Sequence, residues 1–138
     1  MKKQYFFLLV LVALLAIPLS PAGTIQAQQT ASLEVAVGTI CRDVINRQPI
    51  DVGNSFEASV GTLYCFTKIT GASGATQITH VWYFGDTERA RVNLAVNSAS
   101  WRTYSSKRIQ AHEIGGWHVD VLGPGGELLQ RMEFAITP

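Results

Sequence analysis

Neither a phosphate loop, a dinucleotide fingerprint nor a GxSxG nucleophile elbow occurs anywhere in these 138 residues. Charge is also scarce. Asp, Glu, Lys and Arg make up 15% of the chain, and no block of like charge stands out. A globally basic nucleic-acid binder is therefore excluded. Helical periodicity is missing too: no long stretch repeats its apolar residues every three to four positions. Cysteine is limited to two residues, Cys41 and Cys65, spaced far from a CxxC metal knuckle.

The longest apolar run lies at the start. "MKKQ" is a positive lead and "YFFLLVLVALLAIPL" is apolar, with Pro18 near its end. "SPAGTIQAQ" then supplies small residues. Residues 1–27 read as a secretory signal peptide cleaved after Ala27. The run falls short of the roughly 20 residues a bilayer span needs, so no stable membrane span is expected after cleavage. Residues 28–32 form a polar lead-in, and 33–138 form one domain. Loss of Lys2 and Lys3 leaves 9 basic residues against 10 acidic ones. Export implies a periplasmic or extracellular location and an oxidising compartment. There the two cysteines read as one disulfide, Cys41–Cys65, stabilising by roughly 3–3.5 kcal/mol in the chain-entropy picture. Two buried free thiols and a metal pair are the other readings.

What remains is written in short alternating runs. "LEVAVGTI" (33–40) alternates Leu33, Val35 and Val37. "GTLYCFTKIT" (61–70) is β-branched and aromatic. "QITHVWYFGD" (77–86) is apolar on both sides, as a central strand is. "ERARVNLAVNS" (88–98) sends Ala90, Val92, Leu94 and Val96 one way and Arg89, Arg91 and Asn93 the other. "GWHVDVLG" (116–123) and "LLQRMEFAIT" (128–137) flank the turn "GPGGE". "RQPIDVGNSF" (47–56) and "GASGAT" (71–76) read as loops. About seven short strands with regular turns predict an all-β fold: an antiparallel β-sandwich, immunoglobulin-like in shape. Trp82, Trp101 and Trp117 are expected to fill its core.

"SWRTYSSKRI" (100–109) is the densest patch of chemistry. Alternation places Arg102, Tyr104, Ser106 and Arg108 on one face and Trp101, Thr103, Ser105, Lys107 and Ile109 on the other. A lysine on the core side is awkward. A bend near Ser105–Ser106 is the expected remedy, gathering Arg102, Tyr104, Lys107 and Arg108 on an exposed surface. Guanidinium groups beside an aromatic ring suit carboxylates, phosphates and sugars. Tyr83 and His80 are candidate members of the same binding strip. The competing reading pairs these arginines with acids on neighbouring strands.

Several stretches together carry a resemblance. "VGTLYCFTKITGA", "ITHVWYFGD", "SWRTYSSKRI", "GGWHVDVLGPGGELL" and "FAI" resemble, in order, the bacterial domain of unknown function family 2914. "ICRDVINRQPI" is similar to that family's first cysteine segment. The resemblance implies an exported or membrane-attached bacterial protein and supports both cysteines as family features. It brings no catalytic residues.

The expected function is a non-catalytic binding or accessory module of the cell envelope. Its partner would be an envelope protein or an anionic or sugar polymer, with no cofactor and no nucleic acid. A hydrolase or metal-dependent enzyme using His80, or His118 with Asp120, is the alternative. No metal site is assigned, because His118 and Asp120 lack visible further ligands. A structural module that engages partners through an exposed sheet edge is the third reading.

Overall fold

The computed structural model describes residues 32–138. The signal peptide assigned to 1–27 and nearly all of the lead-in lie outside the described residues. Nine strands form: β1 Glu34–Ile45, β2 Gln48–Gly53, β3 Ser55–Glu57, β4 Thr62–Thr70, β5 Thr76–Phe84, β6 Thr87–Val96, β7 Ser100–Arg108, β8 Gly115–Leu122 and β9 Leu128–Thr137. They make two sheets, ordered β2-β1-β4-β7 and β3-β9-β8-β5-β6. Every pairing is antiparallel except β3 with β9. From β4 onward the strands divide as B and E against C, F and G do in an immunoglobulin-like sandwich. Trp82, fully buried on β5, occupies the strand where that fold keeps its core tryptophan.

The expected strand count was too low by two, and both extra strands come from the stretch read as a loop. The reason is local. β2 is an edge strand with residues mostly exposed, so it has no buried face to write a period into the sequence. Its Pro49 is tolerated because an edge strand leaves one row of amides unpaired. Asn46 and Arg47 join β1 to β2, both at positive φ (50° and 59°), as a two-residue primed turn demands. Gly85 and Asp86 make the matching two-residue link between β5 and β6.

The core lies between the sheets. β4 contributes Leu63, Cys65 and Ile69; β5 contributes Ile78 and Trp82; β8 contributes Trp117, Val119 and Val121; β9 contributes Met132, Phe134 and Ile136. Trp117 and Trp82 both pack edge or face against Phe134, with ring centroids about 6 Å apart. Two of the three register shifts redirect the simple alternation at core positions. One between Val35 and Val37 leaves Val37 42% exposed, outside the core. Another between Val121 and Leu122 turns Leu128 out to solvent and Leu129 in.

The disulfide does not form: Cys41 and Cys65 are both free. β1 and β4 are adjacent, but their register pairs Ile40 with Cys65 and Cys41 with Tyr64. Directly opposite residues share a sheet face and successive residues alternate. Cys65 therefore points into the core and Cys41 points away from it. An offset of one residue places the sheet itself between the two sulfurs. Burial raises both thiol pKa values.

Candidate functional site

β7 is regular. Its nine residues pair with β4 from Thr62↔Arg108 to Thr70↔Ser100 without a register shift. The bend expected near Ser105–Ser106 is absent. Lys107 accordingly stays on the core-facing side, opposite Leu63, and does not join Arg102, Tyr104 and Arg108. It is accommodated because β7 is an edge strand: the stem lies along the sandwich margin, and Nζ donates to the Arg108 carbonyl at 2.8 Å.

On the outer face of the four-stranded sheet, Tyr104 is 46% exposed and meets the ring of Tyr64 edge-on, centroids 6.0 Å apart. Arg102 and Arg108 flank it on the same strand face. Phe66 and Cys41 lie on this face as well, buried yet outside the core between the sheets. Val37, Ile50 and Val52 are exposed there beside them.

Lys68 was not anticipated. It stands directly opposite Arg102 across the β4–β7 pair. The two line a shallow cleft of about 360 Å³ with Arg47, Ser98, Ser100 and Trp101. The alternation of "LYCFTKIT" held part of the signal, since Lys68 shares a face with Tyr64 and Phe66. Nothing local could have linked either to Arg47, more than fifty positions from Arg102 in the chain.

Charge is divided between the two sheets. Among the described residues three ion pairs form: Arg89–Glu113, Arg91–Glu88 and Arg131–Asp120. All three arginines belong to β6 or β9 of the five-stranded sheet. The other six cations are Arg42, Arg47, Lys68, Arg102, Lys107 and Arg108. Each sits on a strand of the four-stranded sheet or on its β1–β2 turn, and none has a carboxylate partner. Only Glu34, Asp43 and Asp51 provide acid on those elements. The pairing of Arg102 and Arg108 with acids on adjacent strands does not occur.

His80 and Tyr83 do not belong to this surface. Tyr83 lies on the outer face of the opposite sheet, stacked on His118 with centroids 4.6 Å apart. His80 is completely buried between Ile78 and Trp82 on the inner face of β5. Both its nitrogens are engaged. The Thr67 hydroxyl donates to the Thr103 carbonyl at 3.2 Å, so Thr67 Oγ1 accepts from His80 Nε2, also at 3.2 Å. Trp82 Nε1 donates to Ser105 Oγ at 3.1 Å, and Ser105 donates onward to His80 Nδ1 at 2.7 Å. This one-directional chain fixes a neutral imidazole protonated on Nε2. Burial drives the His80 pKa down to about 4. The serine–histidine contact therefore belongs to a closed core network.

The other pair weighed for chemistry is also committed elsewhere. Asp120 accepts from Arg131 Nε at 2.7 Å and Nη2 at 3.0 Å. Such a forked contact occupies the carboxylate. Among the described residues no group of three His, Cys, Asp or Glu side chains is placed to hold a metal ion. None of their helices is long and apolar enough to cross a membrane.

A family model described as "Protein of unknown function (DUF2914)" matches residues 75–136. The span runs from the start of β5 to the end of β9 and takes in all of β7. It begins after the strand holding Cys65. No curated protein matches. Similar solved structures include a mutant beta-glucosidase from Listeria innocua in complex with laminaribiose (10% identity, TM-score 0.43) and beta-glucosidase from Listeria innocua in complex with glucose (11%, TM-score 0.44). In each case 78% of this chain is covered and 16% of the other. This chain thus spans about one-sixth of those proteins' length.

Proposed function

Since residues 75–136 belong to the DUF2914 family, we propose that this chain is a non-catalytic, exported binding module of the bacterial cell envelope. Its ligand is an anionic polymer, held on the outer face of the four-stranded sheet. The observation that carries this reading is the segregation of charge. Every cation of the five-stranded sheet has a carboxylate partner, and every cation of the four-stranded sheet lacks one. Guanidinium groups left free beside an exposed tyrosine are the donors that carboxylate, phosphate or sulfate groups use. The overall charge is close to neutral, so attraction comes from this face alone and is confined to short range by salt.

Export is supported by the pattern of residues 1–27. Binding is favoured over catalysis because His80 is sealed in the core and Asp120 is occupied by Arg131.

The test is retention of the chain from residue 28 onward on immobilised anionic envelope polysaccharide. Wild type is retained at low salt and released as salt rises. Arg102→Ala/Arg108→Ala passes through. Equal retention of the two proteins removes the β7 face from consideration. Co-purification with a single envelope protein, insensitive to salt, overturns the polymer in favour of a protein partner.

A further inference from the structure

We propose that the cleft formed by Arg47, Lys68, Arg102, Ser98, Ser100 and Trp101 is a built site for a phosphate ester. The inference rests on the binding role given above to the outer face and assigns the chemical group that one part of it takes.

Lys68 and Arg102 stand directly opposite each other across β4 and β7, and like charges in that position are destabilising. A sheet normally relieves such a pair with a carboxylate. None is supplied. Glu34, opposite Thr70 two residues along β4, makes no ion pair with either. A third cation, Arg47, is added to the same cleft by the β1–β2 turn. That turn holds Arg47 at φ 59°, an unfavourable conformation for a side chain of its kind.

The neutral groups agree. Trp101 stands opposite Ile69 and packs against the core, so it borders the cleft without donating into it. Ser100, on the same strand face as Arg102, offers a hydroxyl. Ser98 Oγ has spent its hydrogen on the Ser100 carbonyl at 2.8 Å. The cleft is therefore lined by three cations and hydroxyl groups, and by no carboxylate.

Such a lining matches a group that carries two charges and accepts several hydrogen bonds at once. A phosphate ester presents three peripheral oxygens and close to two negative charges. A carboxylate offers one charge and leaves two of the three cations unanswered, where the phosphate leaves one. At about 360 Å³ the cleft falls at the small end of ligand sites, which run from roughly 300 to 1,000 Å³. The space suits a phosphate with one attached sugar or polyol unit. A free sugar phosphate and a polysaccharide bearing phosphate monoesters share this chemistry.

The experiment titrates the chain from residue 28 onward by calorimetry at low salt and neutral pH. The probes are glucose 6-phosphate, inorganic phosphate, glucuronate, glucose and a glucan carrying phosphate monoesters on its 6-hydroxyls. Glucose 6-phosphate and inorganic phosphate bind, whereas glucose and glucuronate do not. Lys68→Ala and Arg47→Ala each weaken glucose 6-phosphate by roughly tenfold or more. Arg91→Ala, on the opposite sheet, leaves that affinity unchanged. Binding of the phosphorylated glucan at least as tight as that of glucose 6-phosphate, and lost in Lys68→Ala, identifies the polymer as the source. Glucose 6-phosphate binding without the polymer identifies a free sugar phosphate. Equal affinity for glucuronate, or unchanged affinity in Lys68→Ala, overturns the proposal. No phosphate binding, with polysaccharide retention still dependent on Arg108, sinks the cleft and leaves the wider face standing. Phosphate binding without polysaccharide retention does the reverse.

Discussion

The Ser105 hydroxyl, donated from β7 of one sheet, reaches His80 Nδ1 on β5 of the other across 2.7 Å. This bond is a polar bolt through an otherwise apolar interior. The chain continues from Trp82 at one end to the Thr103 carbonyl at the other. Every donor in it has an acceptor, and none is left over.

Stability is predicted to fall in mild acid. Burial holds the folded-state pKa of His80 near 4, below the ordinary imidazole value of 6.5. Between those values the unfolded chain binds the extra proton, so unfolding is favoured as pH falls. The contribution is fully present above about pH 6.5 and is lost progressively toward pH 4, amounting to roughly 3 kcal/mol. Urea midpoints measured from pH 4 to 7.5 would show the decline. His80→Gln should flatten it; a slope unchanged in that variant would assign the acid sensitivity to other groups.

Ser105→Ala is expected to destabilise by about 2–4 kcal/mol. It strands two buried groups at once, Trp82 Nε1–H and His80 Nδ1. Thr67→Val strands one buried donor, His80 Nε2–H, and withdraws the hydroxyl from the partly buried Thr103 carbonyl; it should cost less, about 1–3 kcal/mol. Thermal unfolding of the two variants side by side gives the order.

Glu113 anchors the loop between β7 and β8. Its side chain is 1% exposed; it accepts from Arg89 and, at 2.9 Å, from the Gln110 amide. Arg89→Ala leaves that carboxylate buried with one donor and is expected to cost about 3 kcal/mol. Adding Glu113→Gln removes the stranded charge, so the double variant should be more stable than Arg89→Ala alone. A chemical-denaturation cycle checks the sign.

Both cysteines should behave as sealed thiols. Ellman's reagent is predicted to find neither in the folded chain and both in guanidinium, and a reductant should leave the melting temperature where it was. A denatured chain without titratable thiol would contradict the register of β1 against β4.

Much of the sandwich was legible because a strand writes its burial into alternate positions. Ala90, Val92, Leu94 and Val96 face inward as their spacing required, and Trp117, Val119 and Val121 do the same on β8. β2 was illegible because an exposed edge strand has no inside face. Leu128 and Val37 misled for a different reason: each lies beside a bulge, which shifts the phase by one residue without a signal in composition. The inferred bend in β7 failed on an assumption about Lys107. An inward-facing lysine was treated as buried, yet at a sheet edge its amine reaches out along the margin.

The amino-acid order alone determined the fold class, the turns and the faces of β5, β6 and β8, because these follow from periods of two and from residues that tolerate tight reversals. Which side chains meet was decided only by the stacking of the two sheets. That stacking separated Cys41 from Cys65 and sealed His80 against Ser105. It also set Lys68 and Arg47 beside Arg102. Contacts of this kind depend on strand register and sheet order, which are collective properties of the packed chain and leave no mark on any local stretch.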